Sequence, residues 1–239
     1  MTRSSSRAAS MIISHEHKFI FIKTAKTAGT SIEVFLSPHC GARDILTPIV
    51  PPVEGHRPRN YRGFINPFPA ALRHPRKVIP ILIEGLRRSD RFFNHMPATL
   101  IQKRVSARVW REYYKFCVER NPWDKVLSHY HMAAARRESS LSLDEYLARR
   151  RFPWNSYRYT DRTGAKIIVD RVVRFENLLG DLGEVFADIG IPFEGHLGVR
   201  AKGDYRADPT PYRTVFNDAQ RAIVAQAFER EIDLHGYVF

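Results

Sequence analysis

Short apolar runs separated by polar loops predict three strands along the chain. They are Phe19–Ile22, Phe116–Val118 and the Val- and Ile-rich segment Lys166–Phe175. The first two runs are continuously apolar, which is typical of strands buried on both faces of a parallel sheet. The third segment predicts one strand or two short ones.

Helices are predicted where apolar residues recur at helical spacing and capping residues flank them. Two such stripes are Leu178, Leu179, Leu182, Val185, Phe186 and Ile189, and then Ile223, Val224, Ala227, Phe228 and Ile232. Gly190 and Pro192 end the first stripe, and the second closes near Gly236. Further helix starts are indicated by the capping pairs Ser142/Glu145 and Asn217/Gln220 and by Pro122, which suits the first turn of a helix to about Ala135.

Alternating strands and helices predict an α/β fold. We expect a three-layer, P-loop-like arrangement with a central parallel sheet flanked by helices. At 239 residues and 44% hydrophobic content, the chain fits one sizeable domain. We place that domain at residues 16–239, preceded by a disordered tail over residues 1–15. Residues 40–95, approximately, are Pro- and Arg-rich and form an insertion of weak periodicity.

The composition also predicts where in the cell the protein is found. No run of 18 apolar residues and no signal-peptide hydrophobic region is present, so we expect a cytoplasmic protein with no membrane span. The two cysteines, Cys40 and Cys117, do not make a disulfide framework.

The net charge of +13 and the pI near 10.0 are unusual. Such a surplus attracts polyanions, which include nucleic acid, membrane headgroups, nucleotide phosphates and acidic glycans. Most of it lies in residues 57–111, where only Glu84 and Asp90 are acidic. This basic span is either a solvated face or a surface that draws an acidic partner through Arg57, Arg59, Arg62, Arg73 and Arg76.

A polar loop, Lys23–Ser31, connects the first predicted strand to a helix. In an open parallel sheet, ligands bind beyond the carboxyl ends of strands, where free N–H groups and the positive helix end favour an anion. Lys23 and Lys26 add charge, and Gly29 lets the backbone approach closely. Three residues offer hydroxyl donors: Thr27, Thr30 and Ser31. The loop predicts a phosphate cradle, with a hydroxyl-capped helix start as the alternative.

The loop does not fit the Walker A pattern, because Thr30 and not lysine follows the last glycine. A second motif, FCVERNPWDKVLSHY, is again a strand followed by Arg120 and a proline-initiated helix that carries Ser128. Arginine at a strand end offers a bidentate fork for a phosphate. Taken alone, Arg120 is equally well interpreted as a structural ion-pair partner.

The two motifs together resemble a known family. IFIKTAKTAGTSIE resembles the 5′-phosphosulfate loop of the sulfotransferases that use 3′-phosphoadenosine 5′-phosphosulfate (PAPS), and VERNPWDKVLSHY resembles their 3′-phosphate segment. RVVRFENLLGDL and EIDLHGYVF are similar to the branch that contains carbohydrate sulfotransferases and bacterial relatives. The resemblance covers roughly residues 17–239.

The resemblance implies roles for individual residues. Lys26 would contact the bridging oxygen and the 5′-phosphosulfate, while Arg120 and Ser128 would hold the 3′-phosphate. The same 5′ group would be cradled by Thr27, Ala28, Gly29, Thr30 and Ser31, with Lys23 nearby. RAKGDYRAD resembles a loop that closes over the nucleotide, so the 3′-phosphate would also be reached by Arg200, Lys202 or Arg206.

The reaction needs a base for the acceptor hydroxyl and, in this family, no metal. His95 matches the position at which this branch often carries a histidine that acts as the base; the alternative is a capping or buried histidine. Glu33 and Glu54 are secondary candidates, and His129 and His131 are expected in the core or behind the site. Sugar rings of an acceptor would stack on Trp154, Tyr157 or Tyr159, unless these aromatic residues belong to the core.

The sequence thus predicts a PAPS-dependent sulfotransferase that acts on a hydroxyl acceptor, expected to be a carbohydrate, with an acidic glycan as one candidate and adenosine 3′,5′-bisphosphate (PAP) as the product. The residues at 40–95 would lie on the acceptor side. A nucleotide-dependent kinase explains the loop only in part and would require Mg²⁺. A nucleic-acid-binding protein explains the charge, but no helix-turn-helix, zinc or RNA-binding signature accompanies it.

Overall fold

A five-stranded mixed sheet forms the centre of the protein, seen in a computed structural model that describes residues 11–64, 89–136, 141–198 and 210–239. The strands in these ranges are β1 (Ile12–Ser14), β2 (Phe19–Phe21), β3 (Ile45–Leu46), β4 (Arg62–Gly63), β5 (Ser89–Asp90), β6 (Tyr114–Glu119) and β7 (Arg171–Arg174). The helices are α1 (Gly29–Leu36), α2 (Ala98–Arg104), α3 (Ala107–Glu112), α4 (Pro122–Ala135), α5 (Leu143–Ala148), α6 (Ser156–Tyr159), α7 (Leu178–Asp188), α8 (Tyr212–Val215), α9 (Asp218–Ala227) and α10 (Glu229–His235).

The strand order of the central sheet is β3-β1-β2-β6-β7. Strands β2, β6 and β7 run parallel, with Phe21 beside Phe116 and Val118 beside Val173. Strand β1 is antiparallel to both β2 and β3. The prediction of a parallel sheet is therefore correct for the three strands on one side only. Residues 15–18 join β1 to β2, and so short a connection can only form an antiparallel hairpin.

The predicted tail boundary was wrong for residues 11–15. Met11, Ile12 and Ile13 are fully buried, because β1 pairs with a neighbour on each side. Ser14 is also buried, and its hydroxyl donates to Asp44 at 2.8 Å. The rest of the predicted tail lies outside the described residues.

Helices cover both faces of the sheet. On one face, Phe19 and Phe21 pack in a cluster with α1 and α7; on the other, Ile20 and Cys117 pack with α2. This alternation follows from the period-two geometry of strands. It confirms the α/β fold class, with helices flanking a central sheet.

The helix predictions hold with two refinements. Helix α4 begins at Pro122 as expected, and capping boxes at Ser142 and Asn217 start α5 and α9. The last apolar stripe forms two helices, α9 and α10, because the backbone of the fully buried Phe228 leaves the helical region between them. In the third predicted strand segment only Arg171–Arg174 is a strand.

Within the described ranges, every helix is too short or too polar to cross a membrane.

Candidate active site

The parallel strands β2 and β6 direct their carboxyl ends to the same edge of the sheet, and the two predicted motifs follow there. Residues 22–28 lead from β2 into α1. Helix α1 starts after Ala28, a residue with φ 58° and no side-chain capping bond. Lys26 also has a left-handed backbone, with φ 63°. Such conformations are unfavourable for residues with a Cβ and indicate a backbone held by its surroundings.

The buried side chain of Lys23 stabilises the loop. Its Nζ lies 2.7 Å from Glu33 Oε2 and 3.0 Å from Thr30 Oγ1, and both charged side chains are buried. The stem of Lys23 passes over Gly29, where an added Cβ would lie 2.7 Å from Lys23 Cγ. The close contact that requires a glycine at position 29 is therefore made by Lys23, a side chain of the protein itself. Nucleotide contact by Lys23, Gly29 or Thr30 stays a prediction, as does the secondary assignment of Glu33 as a base.

Two threonines tie the loop to the neighbouring strand. The Thr24 hydroxyl donates to the backbone oxygen of Val118 in β6, and it lies 2.7 Å from Thr27 Oγ1. Because the Thr24 proton is used on Val118, Thr27 acts as the donor in the second bond. Thr27 is almost fully buried, so its hydroxyl points into the protein.

Arg120 connects the two motifs. Its Nη1 donates to the backbone oxygen of Lys26 at 3.2 Å, while Nε and Nη2 lie 2.8 and 2.6 Å from Asp124 Oδ2. The guanidinium also stacks 4.0 Å from the ring centre of Phe175. The structural ion pair considered from the sequence is present. Contact of Arg120 with a 3′-phosphate stays a prediction.

One face of α4 brings Ser128 to the loop. Asp124, Ser128 and Met132 are spaced by four residues and therefore share a face of this helix. Arg120 binds the first of them, and Lys26 Nζ lies 3.7 Å from the sulfur of the last. Half-buried Ser128 lies between these two contacts, so the structure brings Lys26, Arg120 and Ser128 to one side of α4.

His95 reaches the same edge from the segment before α2. Its Nδ1 lies 3.0 Å from the backbone oxygen of Lys23. Since a carbonyl oxygen only accepts, Nδ1 carries the proton, and the neutral ring has its lone pair on Nε2. A histidine in this tautomer can accept a proton at Nε2.

Other predicted residues lie elsewhere. Glu54 is exposed, and His129 Nδ1 lies 2.7 Å from the Tyr146 hydroxyl. Tyr159 is fully buried, so it cannot stack on a ligand, whereas Trp154 and Tyr157 are 39% and 49% exposed. The predicted nucleotide-closing residues lie outside the described ranges: Arg200, Lys202 and Arg206.

The arginines of the basic span differ in exposure and in their partners. Arg57 and Arg62 are exposed, and Arg62 pairs with Asp90 at 3.3 Å. Arg59 is half-buried and donates to the backbone oxygen of Cys40 at 2.9 Å, so it has a structural partner. Arg73 and Arg76 lie outside the described residues.

Sequence reasoning missed the residues behind the loop, above all Glu119 and Asn155, both fully buried. Glu119 Oε1 accepts from Lys125 Nζ at 2.7 Å and from Asn155 Nδ2 at 3.2 Å. Burial alone would raise the pKa of Glu119, but attraction to Lys125 and these hydrogen bonds lower it below its usual range. The one available signal was an acidic residue directly after the apolar run Phe116–Val118.

The described ranges contain no group of three or more His, Cys, Asp or Glu side chains arranged to hold a metal ion.

Comparisons with known proteins give few matches. No model of a known protein family matches the chain. A sulfotransferase of known crystal structure from Alicyclobacillus acidocaldarius aligns with 92% of this chain and 96% of its own, at a TM-score of 0.43 and 20% identity. A likeness of this size is too weak to assign a shared activity.

An uncharacterized protein from Archaeoglobus fulgidus is 34% identical over an alignment 116 residues long, which covers 46% of this chain and 94% of the archaeal one. An identity of that level over nearly the whole of the shorter protein indicates common descent. The chain therefore belongs to the same protein family as this archaeal protein.

Proposed function

We propose that the protein is a sulfotransferase that moves the sulfuryl group of PAPS to an acceptor hydroxyl and releases PAP. The observation that supports this most is the meeting of three motif segments at one sheet edge. Arg120 Nη1 lies 3.2 Å from the Lys26 oxygen, and His95 Nδ1 lies 3.0 Å from the Lys23 oxygen. The residues to which the resemblance assigns the leaving group, the 3′-phosphate and the base, namely Lys26, Arg120 and His95, thus belong to segments that contact the same loop.

The donor would bind along the Lys23–Ser31 loop, called the donor loop from here on, and along α4. The 5′-phosphosulfate would lie at the uncapped start of α1, where the N–H groups of Gly29, Thr30 and Ser31 and the positive helix end favour an anion. Lys26 would contact the same group. The 3′-phosphate would lie near Arg120 and Ser128.

The chemistry is a single displacement at sulfur, with demands close to those of phosphoryl transfer. The acceptor oxygen forms a bond to sulfur as the bond from sulfur to the phosphate oxygen breaks. Lys26 offsets the negative charge that grows on the departing phosphate. His95 Nε2 takes the proton of the acceptor hydroxyl.

We further propose a carbohydrate acceptor, and an acidic one in particular. Exposed Arg57 and Arg62 offer positive charge, and exposed Trp154 and Tyr157 offer ring faces. In the chain, Trp154 and Tyr157 lie one and two positions from Asn155, whose side chain bonds the loop at Ala25.

The first test is calorimetric titration of the purified protein with PAP in the presence of EDTA. We expect micromolar binding that Lys26→Ala and Ser128→Ala each weaken about tenfold, the typical loss for one hydrogen bond to a charged group. Exposed Lys166 provides the matched control, and Lys166→Ala should bind as the wild type does. Mg-ATP, titrated in the same buffer without EDTA, is the parallel ligand. Binding of Mg-ATP with no binding of PAP would replace the proposal with a kinase.

The second test uses radiolabelled PAPS and a panel of uronic-acid oligosaccharides, neutral oligosaccharides and phenols. In His95→Asn the side-chain amide can still donate to the Lys23 oxygen, but the base is lost. We expect PAP affinity within twofold of wild type and transfer reduced at least a hundredfold, the lower range for general-base catalysis. Unchanged transfer by this variant would exclude His95 as the base.

A further inference from the structure

Asn155 holds the donor loop through a paired backbone contact. Its Oδ1 accepts from Ala25 N at 2.8 Å, and its Nδ2 donates to Ala25 O at 3.1 Å. The side-chain amide therefore satisfies both backbone groups of one loop residue, as a neighbouring strand would. Asn155 is fully buried, 130 positions along the chain from Ala25.

The same amide reaches the second motif. Nδ2 also donates to Glu119 Oε1 at 3.2 Å, and that oxygen accepts from Arg120 N at 2.9 Å. One amide and one carboxylate thus join the backbone at Ala25 to the backbone at Arg120. The direct bond from Arg120 Nη1 to the Lys26 oxygen closes this connection from the other side.

Asn155 is itself fixed in place. Its backbone N and that of Ser156 both donate to Glu231 Oε1, each at 3.1 Å, and Arg158 Nη1 donates to Asn155 Oδ1 at 3.1 Å. Glu231 is almost fully buried. The amide plane therefore has little freedom to turn away from Ala25.

We infer that Asn155 is a positioning residue of the donor site. It fixes the peptide groups of Ala25, so that the left-handed residue Lys26 and the start of α1 are set for the 5′-phosphosulfate before the donor arrives. It also sets the distance between this loop and Arg120. The inference rests on the proposed function, in that it assigns the loop to the 5′ side of the donor.

The test compares PAP with adenosine 3′-monophosphate, which lacks the 5′-phosphate. Asn155→Asp keeps an acceptor for Ala25 N but loses both donations and adds a negative charge between Glu119 and the Arg158 guanidinium. We expect the Kd for PAP to rise about tenfold, while the Kd for the 3′-monophosphate stays within twofold of wild type. Asn60→Asp is the matched control, because the Asn60 amide also donates to two backbone oxygens, of Ala42 and Asp44. That variant should bind both nucleotides normally.

A pH series adds a readout that general destabilisation would not give. Protonation of the introduced carboxyl group restores one O–H donor and removes its charge. The ratio of variant to wild-type Kd for PAP should therefore fall toward one as the pH is lowered from 8 to 5.5. Equal losses for both nucleotides at every pH, or no loss for either, would overturn the inference.

Hydrogen exchange on the wild-type protein covers the case in which Asn155→Asp does not fold. We expect the Ala25 amide to be protected in the free protein as strongly as the amides of β2, with no further gain when PAP binds. Protection that appears only with PAP would show that the loop is not held beforehand. If the wild type binds neither nucleotide, the proposed function fails, and the exchange data on the free protein still test the contact to Ala25.

Discussion

Lys125→Met should destabilise the protein strongly, because it leaves a buried carboxylate without its counter-ion. Lys125 Nζ lies 2.7 Å from Glu119 Oε1, and neither side chain has any exposed surface. Methionine is close to lysine in length and is apolar. The packing against Phe228, whose ring centre lies 4.8 Å from Lys125 Nζ, should therefore be kept.

The size of the loss in stability depends on the hydrogen-bond donors that remain around Glu119. Removing one partner of a buried pair typically costs about 3–5 kcal/mol. Glu119 would keep three donors, which are Arg120 N, Asn155 Nδ2 and the Tyr159 hydroxyl. We therefore expect the lower end, about 3 kcal/mol, which lowers the Tm of a domain of this size by about 6–12 °C.

The loss should depend on pH with a definite sign. In the wild type the pKa of Glu119 is lowered, so its contribution to stability is present above its unfolded-state pKa and lost as the pH falls. Without Lys125, burial raises the pKa of this carboxyl group, and the folded variant binds a proton that the unfolded chain does not. The deficit of the variant should then be largest at pH 8 and shrink toward pH 5.

The assay is urea and thermal unfolding followed by circular dichroism at pH 5, 6, 7 and 8. Arg108→Met is the control, because Arg108 pairs with Glu112 at 2.9 Å on the surface, and exposed pairs contribute little. That variant should melt as the wild type does. The reasoning is refuted if Lys125→Met melts within 2 °C of wild type at pH 8, or if its deficit does not change with pH.

Three further changes test other parts of the structure. Gly29→Ala places a Cβ 2.7 Å from Lys23 Cγ, so we expect a loss of about 1–2 kcal/mol in urea unfolding; wild-type stability would contradict this close contact. Ser142→Ala removes the capping bond at the start of α5 and should cost about 1 kcal/mol in the same assay, with Ser142→Thr as the tolerated control. Cys40 and Cys117 should react with a thiol reagent only in urea, because burial raises the pKa of both thiols, that of Cys40 to about 12. Rapid labelling of the native protein would contradict their burial.

Strand β2 and the centre of β6 could be predicted from the sequence because they are apolar on both faces. Phe19–Phe21 and Tyr114–Glu119 contain runs in which every residue packs against one of two helix layers. Strand β1 is as short as β2, but its apolar run Met11–Ile13 directly follows the basic, Ser-rich start of the chain, which favours a tail. Its burial arises from pairing with β3 and β2, and this tertiary pairing is not visible in the local sequence.

The local geometry of the candidate site could likewise be predicted from the sequence where one motif contains both the strand end and the helix start. Arg120 and Ser128 are eight residues apart on one strand–helix unit, and the structure places both beside the loop. Asn155 has no comparable signal. Its partner Ala25 is distant in the chain, and an asparagine before a short helix is ordinarily interpreted as a cap.

The structure also distinguishes the roles of loop residues that look alike in the sequence. A loop with left-handed backbone at Lys26 and Ala28 requires contacts that hold it, and polar side chains of the loop supply part of them. Lys23 bonds Glu33 and Thr30, and Thr27 bonds Thr24. In the sequence these residues have the same character as Lys26, because charge and hydroxyl content suit both an anion and a buried partner. Only the direction of each side chain distinguishes support of the loop from contact with a ligand, and that direction depends on partners outside the loop, such as Glu33 in α1 and Val118 in β6.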